Sequence, residues 1–134
     1  RCNAGGAVTH THTFEIPGEL PSLNEYTGSN RQNRYAGGRS KKIATETCCY
    51  AVMGAMNLGL DVKPPFNLHI TWVTKNNKKD PDNVAFAVKF ILDGMMAAGL
   101  IENDGRKQVH DIEHHFETDK QNPRVIVELE EDHE

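Results

Sequence analysis

Only three cysteines occur in the 134 residues, and two of them, Cys48 and Cys49, are neighbours. That count excludes a disulfide framework, and the lack of any Cys-x-x-Cys pair excludes the thiolate zinc sites built on that spacing. A reduced, cytoplasmic setting is the reading that follows. Long apolar runs are missing too, and nothing approaches the roughly 18 residues a membrane span needs. The start, Arg1-Cys2-Asn3-Ala4-Gly5-Gly6, lacks the charged-then-apolar pattern of a secretion signal, so residues 1 to about 8 read as a flexible or appended end. No internal repeat appears. What remains, 25% charged and 37% hydrophobic residues, describes a soluble globular chain. Its length fits one domain over residues 1–134, small enough to dimerise readily.

Acidic residues are absent from one stretch in particular. Between Tyr26 and Thr45 the chain carries Arg31, Arg34, Arg39, Lys41 and Lys42 with no Asp or Glu. The formal net charge of −4 hides this, because five of the 19 acids (Glu128, Glu130, Glu131, Asp132 and Glu134) crowd into the last seven residues. Phosphate is bound by patches rather than by totals, so the basic stretch keeps a polyanionic partner in view.

Alternation over Thr9 to Ile16, with His10, His12, Phe14 and Ile16 on one face, predicts a strand stopped by Pro17-Gly18. Pro21 to Gly38 shows no periodicity and reads as a long, mobile, basic loop. Ser40 is placed to cap a helix to about Leu58, with Ile43, Thr47, Ala51, Ala55 and Leu58 inward and Gly59 as the stop. Asn67 to Thr74 alternates as a second strand. Asp82 or Asn83 would cap a second helix to about Ala98, and Val109 to Phe116 and Arg124 to Leu129 read as two more strands. Val125, Val127 and Leu129 face the core, and residues 130–134 read as a frayed acidic end. The expected fold is α+β: a mixed sheet of about four strands packed with two helices, in the order β-α-β-α-β-β.

The chemistry gathers in Lys78-Lys79-Asp80-Pro81-Asp82-Asn83 and the run that follows. Carboxylates held close together repel one another, and a hard divalent cation with a phosphate substrate is the usual reason a fold keeps them. Projected at about 100° per residue, Lys89 and Asp93 fall within about 20° of Asp82. Asp104 follows the turn at Gly99. Asp80, Asp82 and Asp104 are thus candidate metal ligands for Mg²⁺, and Lys89, at ion-pair spacing from Asp93, is a candidate for stabilising charge at phosphorus. The plainer alternative stays open: a DxD before a helix also serves as capping and solvation, and Lys89–Asp93 as a surface pair.

These residues also carry a resemblance. Pro21-Ser22-Leu23-Asn24-Glu25-Tyr26, Lys79-Asp80-Pro81-Asp82-Asn83, Lys89 four before Asp93, and Ala98-Gly99 followed by Asp104 resemble, in order and spacing, the RusA family of Holliday junction resolvases, most closely its prophage-type members. The resemblance covers nearly the whole chain. It implies a RusA-like, dimeric Mg²⁺-dependent endonuclease, with Mn²⁺ as a substitute, that nicks four-way junctions symmetrically in DNA recombination and repair. Asp80, Asp82 and Asp104 would bind metal, Lys89 would be the essential lysine, and Asn83 and Asp93 match supporting positions. The lysine is placed by counting back from Asp93; in the enterobacterial type it lies about one turn nearer the DxDN, where this chain has Phe86. Asn103 stands where some relatives carry an acid. Candidate DNA contacts are Asn24, Tyr26, Arg31, Arg34, Arg39, Lys41, Lys42, Lys78 and Lys79. The partners implied are branched DNA and a second copy of the chain, with no membrane and no organic cofactor.

Two other classes compete: a phage-derived junction-binding protein without nuclease activity, and a metal-dependent nuclease of other branched DNA. Seven histidines raise zinc, through His110, His114 and His115 or through His10 and His12, but i and i+4 on a strand lie too far apart for a tight site, and surface histidines are the better reading. Met53, Met56, Met95 and Met96 read as core or dimer interface. Phe86, about 40° from Asp82 on an otherwise polar stripe, reads as covered by a partner subunit.

Overall fold

A computed structural model describes residues 10–32 and 34–132, apart from the side chains of Ser29, Asn30, Gln32 and Arg34. The expectation for residues 1–8 therefore lies outside the described residues. The elements run β1 (Thr11–Pro17), α1 (Leu23–Gln32), α2 (Arg34–Asn57), β2 (Phe66–Thr74), α3 (Pro81–Ala85), α4 (Val88–Ala97), β3 (Val109–Thr118) and β4 (Arg124–Glu131). This is an α+β arrangement on one mixed four-stranded sheet of order β1-β4-β2-β3. β4 pairs antiparallel with β1 and β2, while β3 lies parallel to β2, the two joined by the α3–α4 crossover.

Alternation sets the register. Phe14, Val127, Ile70 and His114 form one cross-strand row, and Ile16, Val125, Trp72 and Phe116 another. The β1, β4 and β2 members of these rows are buried under the helices, whereas Phe116 at the β3 edge is exposed. Side chains one position along point the other way, so the opposite face carries Glu15, Glu128, Glu130, His69, Glu113 and His115. β4 continues through Glu131, whose buried carboxylate accepts the Lys63 amide at 2.9 Å, and Asp132 accepts from His110 at the same distance. β4 thus extends to Glu131, in place of the frayed end expected from residue 130, and residues 133–134 of that expectation lie outside the described residues.

The helices depart further from expectation. Pro21 to Gly38 is not a loop: Ser22 and Glu25 form a reciprocal capping box, Ser22 N donating to Glu25 Oε1 at 2.9 Å and Glu25 N to Ser22 Oγ at 3.3 Å. Satisfying two end donors in this way starts α1 in a polar sequence that has no apolar stripe to announce it. α2 begins at Arg34, before the expected Ser40 cap. It ends as expected at Gly59, which has φ +107° and sits in a Schellman arrangement where Gly59 N reaches Met56 O and Leu60 N reaches Ala55 O.

The buried face of α2 is Ala44, Cys48 and Val52, leaving the expected Ile43 and Leu58 exposed. Gly94 of α4 explains the choice. A Cβ there would stand 2.6 Å from Cys48 Cβ and 2.8 Å from Cys49 N, so the two helices cross almost backbone to backbone and only small side chains fit between them. Burial at this crossing pushes the Cys48 thiol up to about 12.

The second helix is two helices. Asp80, not Asp82 or Asn83, is the N-cap of α3, with Pro81 in its first turn. At Phe86–Ala87 the bonding tightens to i→i−3, with Ala87 N on Val84 O, Lys89 N on Phe86 O and Phe90 N on Ala87 O. A single 100° projection therefore fails across this break. Ala87 and Phe90 join Ile91 and Met95 in the core, while Val84, Val88 and Leu92 are only partly buried. Phe86 is covered by Tyr26 and Phe90 of its own chain, with ring centroids 5.7 Å away in each case, so no partner subunit is needed there. No helix among the described residues is long and apolar enough to cross a membrane.

The α2–α4 crossing can be tested directly. Gly94→Ala is expected to lower unfolding free energy by about 2 kcal/mol, because the overpacking cost exceeds the helix-propensity gain of about 1 kcal/mol. Gly54→Ala, with open space around its Cβ, should be neutral or stabilising. Urea denaturation of both variants measures the contrast.

Candidate functional site

Two separate stretches, residues 19–26 and 75–86, meet at the start of α3. Glu19 Oε2 accepts the Lys75 amide at 2.8 Å, and the Lys79 ammonium lies 3.2 Å from Glu25 Oε1 and 3.6 Å from Glu19 Oε1. The Asn24 amide donates to Asn83 Oδ1 at 2.9 Å. That amide is one of the unpaired donors at the start of α1, so Asn83 completes the end of one helix while standing in the first turn of another. Tyr26 adds an apolar contact, its ring 5.7 Å from Phe86 and 5.9 Å from Phe90. Together these contacts clasp the loop that delivers Asp80 and Asp82.

The clasp is itself electrostatic. The hydrogen bond from the Ser22 main chain holds the Glu25 carboxyl below its ordinary value, opposed by partial burial and reinforced by Lys79. Glu25 therefore serves twice, closing the capping box of α1 and holding Lys79. Lys79, Asn24 and Tyr26 are also candidate DNA contacts. In the fold the Lys79 ammonium, the Asn24 main-chain amide and the Tyr26 ring make this junction, while the Asn24 side chain stays exposed.

The acids stand outside the clasp. Asp80 is exposed and makes no side-chain cap bond; Asp82 is exposed, with Oδ1 accepting the next amide, that of Asn83, at 2.9 Å. Asp104 is half-buried in the connection between α4 and β3, where its amide bonds Asn103 Oδ1 at 3.0 Å. On α4 the Lys89 ammonium lies 3.8 Å from Asp93 Oδ2. That pairing is internal to α4 and survives the break at Phe86. Asp80, Asp82 and Asp104 offer the carboxylate oxygens a hard cation takes, from the N-cap of α3, its first turn and the α4–β3 connection. Their oxygens are not drawn into one tight set. Among the described residues, the single group of three or more His, Cys, Asp or Glu whose ligand atoms lie within 4.8 Å of one another is His69, Glu113 and His115, on the open face of the sheet.

The basic candidates lie on the two helices attached to the clasp. Arg31 is exposed in the last turn of α1, about 10 Å along its axis from Asn24 at 1.5 Å per residue. Arg39, Lys41 and Lys42 are exposed on the first half of α2, Lys78 is exposed beside Lys79, and the Arg34 side chain lies outside the described residues. The zinc groupings weighed from sequence do not assemble. His114 stacks on Trp72 and accepts its indole N–H at 2.9 Å, while His110 turns to Asp132. The His69 grouping was missed because it depends on the parallel register of β2 and β3. No family model and no curated protein matches the chain.

Glu25 yields a signed prediction. Its carboxyl is depressed in the fold, so its contribution is present above the ordinary value of 4.5 and is lost as pH falls through the lower folded value. Glu25→Ala is expected to cost about 1 kcal/mol at neutral pH, the usual scale of a helix cap. Chemical denaturation at a series of pH values should show that difference from wild type shrinking below pH 4.5.

Proposed function

We propose that this chain is a RusA-like, homodimeric, Mg²⁺-dependent endodeoxyribonuclease that resolves Holliday junctions by paired phosphodiester hydrolysis. The observation that carries the reading is the clasp: the two motifs that prompted the resemblance, residues 21–26 and 79–83, are bonded to each other. It leaves Asp80 and Asp82 exposed and, among the described residues, without partners beyond their own turn. A fold that fixes the backbone of two acids while leaving their oxygens open is built to receive a cation.

Asp80, Asp82 and Asp104 would hold the ion, which when bound supplies an activated water and stabilises the leaving oxygen. Lys89 supplies positive charge toward the phosphoryl oxygens, with Asp93, one turn along α4, 3.8 Å from its half-exposed ammonium. Asn83 fixes the α3 start against α1, so a strand held by Arg31, Arg39, Lys41 and Lys42 approaches acids at a set distance. Lys78, exposed at the same turn, adds to that attraction. Two symmetric nicks need two such sites, which gives the homodimer its mechanistic role.

A four-way junction incubated with the protein should be cut in paired, symmetric positions with Mg²⁺ or Mn²⁺ and left intact in chelator. Asp82→Asn is expected to lower the cleavage rate by roughly 100-fold or more while junction binding persists. Wild-type cleavage by that variant would remove Asp82 from the site. Equal cleavage of linear duplex or flaps would move the assignment to a nuclease of other branched DNA. Binding with no cleavage in any divalent metal would leave a junction-binding protein.

A further inference from the structure

We propose a second metal site, of zinc type, on the face of the sheet turned away from the helices, formed by His69 of β2 with Glu113 and His115 of β3. Parallel pairing creates it. His69 stands opposite Glu113 and Thr71 opposite His115, so the i and i+2 residues of β3 flank one imidazole of β2 on the same face. Glu113 Oε1 lies 3.3 Å from His69 Nδ1 and 3.5 Å from His115 Nε2, and the three ligand atoms fall within 4.8 Å of one another. In a tetrahedral zinc site with ligand bonds of about 2.0–2.2 Å, ligand atoms stand about 3.3–3.5 Å apart. The two edges to Glu113 have that length before any ion is considered, and the third lies within 4.8 Å.

The remaining nitrogen of His69 strengthens the case. Its Nε2 lies 2.9 Å from Glu130 Oε1 on β4, and the Glu130 side chain is only 13% exposed. A proton kept on Nε2 by that carboxylate would leave Nδ1 free to ligate an ion held together with Glu113. This is the carboxylate–histidine–metal relay that orients ligand imidazoles and raises their basicity. Two nitrogens and one oxygen select a borderline cation such as Zn²⁺ over Mg²⁺. The half-open side, with Glu113 and His115 each 58% exposed, leaves a fourth position for water and a path of entry. Bound there, the ion would stitch the exposed edge strand β3 to β2 and, through Glu130, to β4.

Metal-stripped full-length protein titrated with Co²⁺ should develop the visible bands of tetrahedral coordination at one equivalent per chain, and Zn²⁺ should displace them. Zn²⁺ should also raise Tm. His115→Ala, at an exposed position that leaves folding intact, is expected to weaken uptake by roughly 100-fold. His110→Ala, on the same strand but bonded to Asp132, should bind as wild type. Uptake that survives both His69→Ala and His115→Ala would overturn the site, as would the lack of saturable uptake. In either case His69 serves only to bridge Glu113 and Glu130.

Discussion

The bond from the Asn24 amide to Asn83 Oδ1, with the Lys79 ammonium between Glu19 and Glu25 beside it, is the constraint on which the candidate nuclease site depends. Each contact alone is modest, since exposed ion pairs contribute well under 1 kcal/mol and a neutral hydrogen bond about 1 kcal/mol. Their effect is positional. They join the start of α1 to the start of α3, so a polar helix with no apolar stripe of its own acquires a fixed place. The connection bearing Asp80 and Asp82 loses its freedom to drift. Tyr26 on Phe86 and Phe90 adds the apolar half of the same joint.

A second constraint acts behind the first. Gly94 lets α4 approach α2 to backbone distance, which sets α4 and with it Lys89 and Asp93 against the rest of the molecule. The front of the site is therefore held by polar contacts at the surface and its back by close packing in the core. The two respond differently to solution conditions. Salt and acid weaken the Lys79 bridge and the capping box, whereas the Gly94 crossing is indifferent to both.

The strands were legible because the sheet buries one face, and burial on one face writes a period of two into Phe14–Ile16, Leu68–Trp72 and Val125–Leu129. The helix α1 was not, since Asn24, Glu25, Thr27 and Ser29 leave no helical stripe. Its one local signal, Ser22 three before Glu25, is a capping box that also occurs in loops. The break at Phe86–Ala87 has no proline or glycine to mark it. It follows from tertiary packing, where Tyr26 of a distant element takes up the Phe86 ring. Spacing and resemblance supply the acids and Lys89 as candidates, but neither tells which neighbouring cations make structural contacts. Lys79 and Lys78 are adjacent in sequence, and only the fold shows one clamped and the other exposed. The His69, Glu113 and His115 grouping lay deeper still, because it exists only once β3 is known to run parallel to β2.

The central claim is that the clasped loop presents Asp80 and Asp82, with Asp104, to a hard divalent cation. Paramagnetic broadening of amide resonances during a Mn²⁺ titration tests it without any nucleic acid. Selective, saturable loss of signal at residues 80–83 and 103–105, reversed by excess Mg²⁺, is the result expected. Broadening confined to β2 and β3 around His69 and His115, or no site-specific broadening at all, would contradict it.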